Sequence, residues 1–393
     1  MLPKDLPTIP ATEFHARWDR VRGLMEQQRL DLIVAYADDR AVFGPAHARW
    51  LMNFPVHFEP VCIVMPKQGD PLALCGPESV EYARTVGQMA DIRAVSVFAH
   101  PDEDYPYTKI HDLVELLTEL ADGPGSRRKV GLAGKGLMSA DVFAAFQSAL
   151  PHAEWLDVED AMCELRAVKS PAEIAVIRYA YQIAEQGFQA AVNAIDVGVA
   201  ERQVAAEADA AMRHAGAEGT GIDTIVASGP NSKPILARST FRRIQANDLV
   251  LLTIAPRYEG YHAAIGRPVL VGDPGDQIMR ALDAACRAQQ ACFGAMRPDV
   301  EGREVEAIGR KIIAEAGLGQ YFLYSALHSV GVIEFEPPIF GPSSSARLRK
   351  DMIISVDIPL FDTPWGGLRV EDGFQITDQG SERLNDVPYE IRK

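Results

Sequence analysis

A capping box marks the point at which this chain divides. The segment Ser170-Pro171-Ala172-Glu173 places a serine just before a helix, a proline at its first position and a glutamate three residues after the serine. An apolar-periodic stretch follows to about Ile195, so the sequence predicts a long helix that begins at Pro171. A chain of 393 residues is longer than one hydrophobic core usually serves. We therefore expect two domains, with a boundary near residues 160–170.

The residues before this boundary alternate between helix and strand patterns, which is typical of an α/β layer domain. The predicted helices are 13–28, 80–86 and 111–121, the predicted strands are 30–36, 92–97 and 130–133, a hairpin joins 61–66 to 72–75, and 123–129 is a predicted loop. The residues after the boundary predict helices at 201–215, 276–296 and 302–316 and strands within 352–377.

The charge and cysteine content limit the partners and the location of the chain. The formal net charge is -15 and the sequence pI is about 5.1, which argues against a nucleic-acid or an anionic-membrane partner, because both need a basic face. No run of eighteen apolar residues is present, so we expect no membrane span. The five cysteines match no zinc motif and several lie in apolar runs. They are typical of buried free thiols in a reducing compartment, and the chain is expected to be cytoplasmic.

Six short blocks follow one another in order across about 220 residues of the C-terminal half. They are 164–174, 221–231, 248–261, 327–331, 334–338 and 354–372. Together they resemble the pita-bread family of Xaa-Pro aminopeptidase, prolidase and creatinase. The resemblance implies an α/β (α+β) chain, with a creatinase/prolidase-type N-terminal domain at 1–163 and a pita-bread catalytic domain at 164–393. It also implies a homodimer in which the N-terminal domain contributes to the neighbouring site.

The resemblance allows each metal-binding position of the family to be placed on this sequence. Metallopeptidases of the family hold two divalent ions with two Asp, one His and two Glu. The corresponding residues here are Thr253, Ala264, His328, Asp357 and Glu371. Because threonine is a poor ligand and alanine is none, a dinuclear centre is not expected and no metal is favoured. The alternative is one divalent ion (Mn, Fe, Co or Zn) bound by the last three residues.

Acid–base chemistry without metal is predicted to depend on His328, because histidine is the residue type whose unperturbed pKa lies near neutrality, with Asp357 or Glu371 orienting its ring. His262 is the second candidate, either as a base or as a replacement ligand. The histidine that peptidases and creatinase share falls on Leu236, and the creatinase-type glutamate falls on Gly266. Neither known mechanism of the family therefore transfers directly to this chain.

Other polar and aromatic residues are candidates for substrate binding. Arg238 and Arg369 are proposed clamps for a substrate carboxylate, and Tyr261 is a donor to a developing oxyanion. Arg369 has an alternative role, bracing Asp372 within the fold. Phe335 is predicted to line an apolar pocket. The remaining candidates are Glu336 in the same segment and His57 and Phe58 of the N-terminal domain, which would act in trans.

The leading function is a hydrolase that cleaves a C–N or similar bond of a small carboxylate-bearing molecule without the dinuclear metal, and a lyase reaction at the same bond stays open. A mononuclear, metal-dependent Xaa-Pro peptidase-like hydrolase is the first alternative. A non-catalytic binding protein on the same fold is the second. The word hydrolase depends here on analogy between folds.

Overall fold

The computed structural model describes residues 5–120 and 128–393. The chain forms two compact units, one of residues Ile9–Leu165 and one of Arg166–Lys393 together with the N-terminal residues up to Thr8. The predicted division into domains 1–163 and 164–393 stays a prediction.

The N-terminal unit is a mixed sheet with helices packed on it. Its strands are β1 (Leu32–Ala37), β2 (Val61–Pro66), β3 (Leu72–Cys75), β4 (Asp91–Val95), β5 (Ile110–His111), β6 (Arg128–Ala133) and β7 (Ala153–Asp157). Its helices are α1 (Ala11–Gln28), α2 (Ala46–Met52), α3 (Val80–Val86), α4 (Leu113–Leu120), α5 (Ala140–Ala149) and α6 (Glu159–Ala167). The strand order is β5-β4-β3-β2-β1-β6-β7, with the β2–β3 hairpin antiparallel and β1 parallel to β6.

Most predicted elements of this unit are present with small shifts. The hairpin 61–66 to 72–75 and the helix 80–86 are confirmed. Helix α2 was not predicted, and it buries Trp50 at the start of a segment expected to reach a neighbouring subunit. The predicted loop 123–129 is described only at its last two residues, where strand β6 already begins, and residue 121 of the predicted helix 111–121 lies outside the described residues.

The C-terminal unit packs long helices against an antiparallel sheet. Its helices are α7 (Pro171–Ala194), α8 (Glu201–His214), α9 (Asp276–Ala295) and α10 (Gly302–Glu315). The strands of the larger sheet, in spatial order, are β15 (Glu336–Ile339), β14 (Leu327–Ser329), β16 (Ile353–Thr363), β17 (Gly366–Thr377), β13 (Ile265–Leu270), β10 (Leu249–Ile254) and β9 (Ile225–Ser228), with β18 (Gly380–Arg383) paired to β17. A smaller sheet has the order β12 (Tyr261–His262), β11 (Pro256–Tyr258) and β8 (Gly219–Thr220).

The capping box at the start of α7 is confirmed. The Glu173 backbone N–H donates to Ser170 Oγ at 3.2 Å, and the Ser170 N–H donates to the Glu173 carboxylate at 2.7 Å. Two of the helix's otherwise unpaired N–H groups are thereby satisfied. Helix α9 buries its apolar face against β16 and β17, and this contact forms the core on one side of the sheet. The other side of the same strands carries the candidate site.

The five cysteines are free thiols, and all but Cys286 are buried. Burial raises the pKa of the Cys75 and Cys292 thiols to about 12 in each case. Among the described residues, no helix is both long and apolar enough to cross a membrane.

Candidate functional site

Strand register places four of the singled-out positions in one row across the sheet. Thr253 of β10 pairs with Gly266 of β13, Gly266 pairs with Glu371 of β17, and Glu371 pairs with Asp357 of β16. Cross-strand partners present their side chains on the same face. The sheet therefore places the two retained carboxylates, Asp357 and Glu371, in one row with Thr253 and Gly266, which stand where the resemblance expects carboxylates.

His328 lies on β14 next to this row, opposite Ser355 of β16. Its side chain is buried, and Nδ1 lies 2.9 Å from the Ser329 carbonyl oxygen. A carbonyl only accepts, so this contact assigns the proton of a neutral ring to Nδ1 and leaves a lone pair on Nε2. Nε2 lies 4.0 Å from Glu371 Oε1, which leaves a gap rather than a direct hydrogen bond.

Glu371 is a buried carboxylate with an incomplete set of partners. Ser355 Oγ donates to its Oε1 at 3.0 Å, whereas its Oε2 has no hydrogen-bond partner among the described residues. Burial raises the pKa of Glu371 well above its ordinary value, and the negative charge of Asp357 adds to the rise, while the Arg369 guanidinium opposes it. The surroundings of Glu371 therefore favour its protonated form more than water does.

Asp357 has partners of its own. Tyr324 Oη donates to its Oδ2 at 2.6 Å, and Arg369 Nε lies 3.6 Å from its Oδ1. Arg369 also lies 3.7 Å from Glu371 Oε2 and donates to Tyr324 Oη at 2.9 Å. Burial raises the pKa of the Tyr324 hydroxyl, and the nearby Asp357 charge strengthens the effect, so Tyr324 is a neutral donor. Arg369 thus lies between the two carboxylates and offsets part of their negative charge.

Asp372 is braced by Arg267 and not by Arg369, for which this role was an alternative. Residues 369 and 372 lie on opposite faces of β17, because successive side chains of a strand alternate. Arg267 instead grips Asp372 with two bonds of 2.7 Å, and both residues are fully buried. Arg369 faces Asp357 and Glu371.

Glu334 is a site residue that the sequence analysis missed. It lies in the turn between β14 and β15 and is partly buried. One carboxylate oxygen of Glu334, one of Glu371 and a ring nitrogen of His328 all lie within 4.8 Å of one another. Burial raises the pKa of Glu334, while His328 and Arg369 oppose the rise. The available sequence signal was an acid next to Phe335 within a matched block.

Phe335 and Glu336 have distinct surroundings. The Phe335 ring packs on the His328 ring with 4.4 Å between centroids, and about a third of it stays exposed, so it forms an apolar wall at the site. Glu336 is fully buried and pairs with Arg166 at 2.8 Å and with Lys169 at 3.3 Å. Its carboxylate is therefore directed into the fold by two cations.

His262 and Tyr261 lie on the short strand β12. Because that strand ends at His262, regular alternation does not extend to Ala264. His262 Nδ1 lies 3.1 Å from the Gly331 carbonyl oxygen, and the ring packs against Gly221 close to Glu334. Tyr261 Oη donates to Glu173 at 2.7 Å, which directs it towards the start of α7.

The remaining predicted residues lie on exposed surfaces. Arg238 pairs with Asp223 at 3.3 Å, with both side chains more than half exposed. In the N-terminal unit, His57 pairs with Asp39 at 3.1 Å, and Phe58 is 66% exposed. Their roles at a site stay predictions.

The residues at the positions without carboxylates are buried as well. Thr253 Oγ1 is buried without a hydrogen-bond partner among the described residues, and Ala264 is fully buried. A Cβ at Gly266 would lie 2.7 Å from the Arg369 side chain, so the stem of Arg369 crosses this position. Tyr181 of α7 approaches the same face, since a Cβ at Gly373 would overlap its hydroxyl.

The donor set fits one divalent ion better than two. An imidazole nitrogen and two carboxylates converge at His328, Glu334 and Glu371, and these are ligand types that Zn, Mn, Fe and Co accept. The Asp357 side of the row already holds a guanidinium, and Thr253 and Ala264 offer no carboxylate there.

Two family models match the chain. Residues 17–168 match the creatinase/prolidase N-terminal domain, and residues 175–378 match metallopeptidase family M24. Among characterised relatives, the chain is 34% identical to the Xaa-Pro dipeptidase of Pyrococcus horikoshii over 238 residues, which is 61% of this chain and 68% of that protein. It is 26% identical to the Xaa-Pro dipeptidase of Lactobacillus delbrueckii subsp. lactis over 83% of this chain and 86% of that protein.

Solved structures show the same fold. The prolidase of Pyrococcus horikoshii superposes with a TM-score of 0.82 at 23% identity, covering 95% of this chain and 99% of the other. The X-Pro aminopeptidase of Thermotoga maritima gives the same TM-score, identity and coverage. Identities this low support the fold alone. The shared fold agrees with the prediction of a creatinase/prolidase-type domain followed by a pita-bread domain. The resemblance predicted from the ordered blocks is confirmed: the chain is a hydrolase that belongs to metallopeptidase family M24.

Proposed function

We propose that this protein hydrolyses a C–N bond of a small, carboxylate-bearing molecule and does so without a dinuclear metal centre. The observation that carries the proposal is the convergence of His328, Glu334 and Glu371 within 4.8 Å beside the Phe335 ring. The named relatives are Xaa-Pro dipeptidases, whose reaction is of the same bond class.

The replacement of two family aspartates supports the proposal that this site does not hold a two-ion centre. Thr253 and Ala264 stand where the resemblance places two aspartates, and neither supplies a bridging oxygen. The Arg369 guanidinium lies within 3.7 Å of both Asp357 and Glu371, where it would repel a second cation. The donor set therefore does not fit the dinuclear group, and no step of the proposed reaction uses it.

The proposed proton transfers use two groups across the 4.0 Å gap. His328 Nε2 carries the lone pair and takes a proton from a water molecule in the gap, whose oxygen attacks the carbonyl carbon. Glu371, whose pKa is raised by burial, is the proposed acid, and its protonated form gives a proton to the leaving nitrogen as the C–N bond breaks. The His328 proton then returns to Glu371, which restores both groups.

The substrate is proposed to place an apolar portion against Phe335, because that ring is partly exposed while its other face packs on His328. Arg238 is the proposed contact for the substrate carboxylate. We also propose a cytoplasmic homodimer in which the exposed His57 and Phe58 of one subunit approach the site of the other.

A substrate panel tests the proposal. Xaa-Pro dipeptides and N-acyl, ureido and guanidino carboxylates are incubated with wild type and with Glu371→Gln in ¹⁸O-labelled water, and amine release is followed. We expect amine release from at least one class, with ¹⁸O in the product that keeps the attacked carbon and a loss of about 100-fold or more in kcat/KM for Glu371→Gln. Release without ¹⁸O would indicate a lyase. No release from any class, or an unaffected variant, would contradict the proposal.

A further inference from the structure

Three ligand atoms surround one point in this site. The ring nitrogen of His328 and one oxygen each of Glu334 and Glu371 lie within 4.8 Å of one another. Ligands about 2.1 Å from a tetrahedral ion lie about 3.4 Å apart, so a contraction of roughly 1 Å would complete three bonds. Glu334 is only partly buried and lies in a turn, whereas Glu371 is buried on a strand, so we expect the Glu334 side chain to make most of this movement.

Two of the donors are already prepared for coordination. The contact of His328 Nδ1 with the Ser329 carbonyl oxygen fixes the tautomer whose Nε2 lone pair faces the gap, and this arrangement is common among metal-binding histidines. Glu371 is held through Oε1 by Ser355, while its buried Oε2 lacks a hydrogen-bond partner among the described residues. A buried carboxylate oxygen without a hydrogen bond is costly, and the Arg369 guanidinium meets this one only at an ion-pair distance of 3.7 Å.

The charges around the gap favour one divalent ion. Asp357, Glu371 and Glu334 are three carboxylates in mutual electrostatic contact, and Arg369 is the cation among them. Metal binding displaces carboxyl protons, so all three carboxylates are ionised in the bound state. Two negative charges then exceed the guanidinium, and one divalent ion balances them. A second ion would leave an uncompensated positive charge in a buried site.

Asp357 does not belong to the same ligand group. Its Oδ2 accepts the Tyr324 hydroxyl at 2.6 Å, and its Oδ1 lies 3.6 Å from Arg369 Nε. Asp357 Oδ1 has no hydrogen bond among the described residues, but it lies outside the group of three converging donor atoms. Glu334 supplies the third donor of that group instead.

We propose that a single divalent cation binds His328 Nε2, Glu334 and Glu371, with Asp357 left to Arg369 and Tyr324. This ligand set differs from the His328, Asp357 and Glu371 set expected from the sequence. The proposal rests on the site assigned to the proposed function and deepens it. When bound, the ion would supply Lewis-acid activation of water in place of a free His328 base and a protonated Glu371, and the reaction class would be unchanged.

Cation binding without substrate tests the inference. Chelator-treated wild type and the variants His328→Ala, Glu334→Gln and Asp357→Asn are dialysed against Zn²⁺ or Co²⁺, and bound metal is measured by mass spectrometry. The Co²⁺ absorption spectrum reports the coordination, and far-UV circular dichroism checks the fold. We expect about one ion per wild-type chain, a loss of more than about 100-fold in affinity for the first two variants, and at most about tenfold for Asp357→Asn.

Several outcomes would overturn the inference. They are no bound ion in wild type, two ions per chain, an ion that survives His328→Ala, and an ion lost in Asp357→Asn but kept in Glu334→Gln. If Glu334→Gln does not fold, Glu334→Asp takes its place, and its Co²⁺ spectrum must differ from that of wild type. Because no substrate is present, a failure here leaves the proposed hydrolysis standing, and a failed substrate panel leaves the cation measurement standing.

Discussion

Asp357 and Glu371 face each other across strands β16 and β17, yet their carboxylates have different partners. Asp357 accepts a hydrogen bond from Tyr324 at 2.6 Å and Glu371 accepts one from Ser355 at 3.0 Å, and each keeps one oxygen without a hydrogen bond among the described residues. Arg369 lies within 3.7 Å of both. The pair differs in position: Glu371 belongs to the group of donor atoms that converges with His328 and Glu334, and Asp357 lies outside it.

The buried ion pairs of Glu336 should be essential to the stability of the C-terminal unit. Glu336→Gln removes the charge that pairs with Arg166 and Lys169, and it leaves two cations in a fully buried position. We expect a loss of about 3–5 kcal/mol in the free energy of unfolding, measured by urea denaturation.

Glu382→Gln is the matched control for that variant. Glu382 also pairs with an arginine, Arg178, but both side chains are substantially exposed. An exposed pair contributes about 0–1 kcal/mol, so the control should unfold close to wild type. Equal losses for the two variants would show that burial does not set the strength of the Glu336 pairs.

Gly266 should not tolerate a side chain. A Cβ there would lie 2.7 Å from the Arg369 stem and 2.9 Å from the Glu371 Cβ, so Gly266→Ala must displace Arg369. We expect a loss of about 1–3 kcal/mol in the free energy of unfolding. Gly23→Ala is the control, since Gly23 lies within helix α1 with open space around it, and there we expect a gain of about 0.5–1 kcal/mol. Losses of the same size at both positions would argue against a close approach at Gly266.

Glu201 should make stability depend on pH. Burial alone would raise its pKa, but hydrogen bonds from Ser228 and Thr240 outweigh burial and hold the pKa below the ordinary value of 4.5. The folded state therefore binds this proton less readily than the unfolded state. The contribution is fully present above about pH 4.5 and is lost as the pH falls through the lower folded value.

Replacing Glu201 with Gln tests this dependence. We expect a loss of about 1.5–3 kcal/mol at pH 7, because the charged acceptor is removed, and a difference from wild type that shrinks towards pH 3. Glu207→Gln, an exposed change on the same helix, should stay within about 0.5 kcal/mol at every pH. A difference that grows on acidification would reverse the assigned direction of the shift.

Much of the fold follows from local patterns. Apolar periodicity, the capping box and the hairpin signals predicted helices α7 to α10 and the hairpin of β2 and β3 within a few residues. Helix α2 was missed because it has only 7 residues, which is too short for periodicity to be distinguished from a loop. The alternation of β17 could have shown that Arg369 faces Glu371 rather than Asp372.

The site was only partly accessible to the same reasoning. His328, Asp357 and Glu371 were named from matched blocks, and the register of β14, β16 and β17 brings them together. Glu334 could not be oriented from sequence, because it lies in a turn and the ladder shifts at the irregularity between His328 and Ser329. Strand periodicity gives no direction to a side chain in such a turn.

The rate of C–N cleavage in His328→Ala is the most direct test of the central claim that catalysis depends on His328. Its kcat/KM on the best substrate is compared with that of wild type and of His152→Ala, an exposed histidine of the N-terminal unit. We predict a loss of about 100-fold or more for His328→Ala, because both a base and a ligand role need Nε2, and an unchanged rate for His152→Ala. Retention of the wild-type rate in His328→Ala would contradict the account.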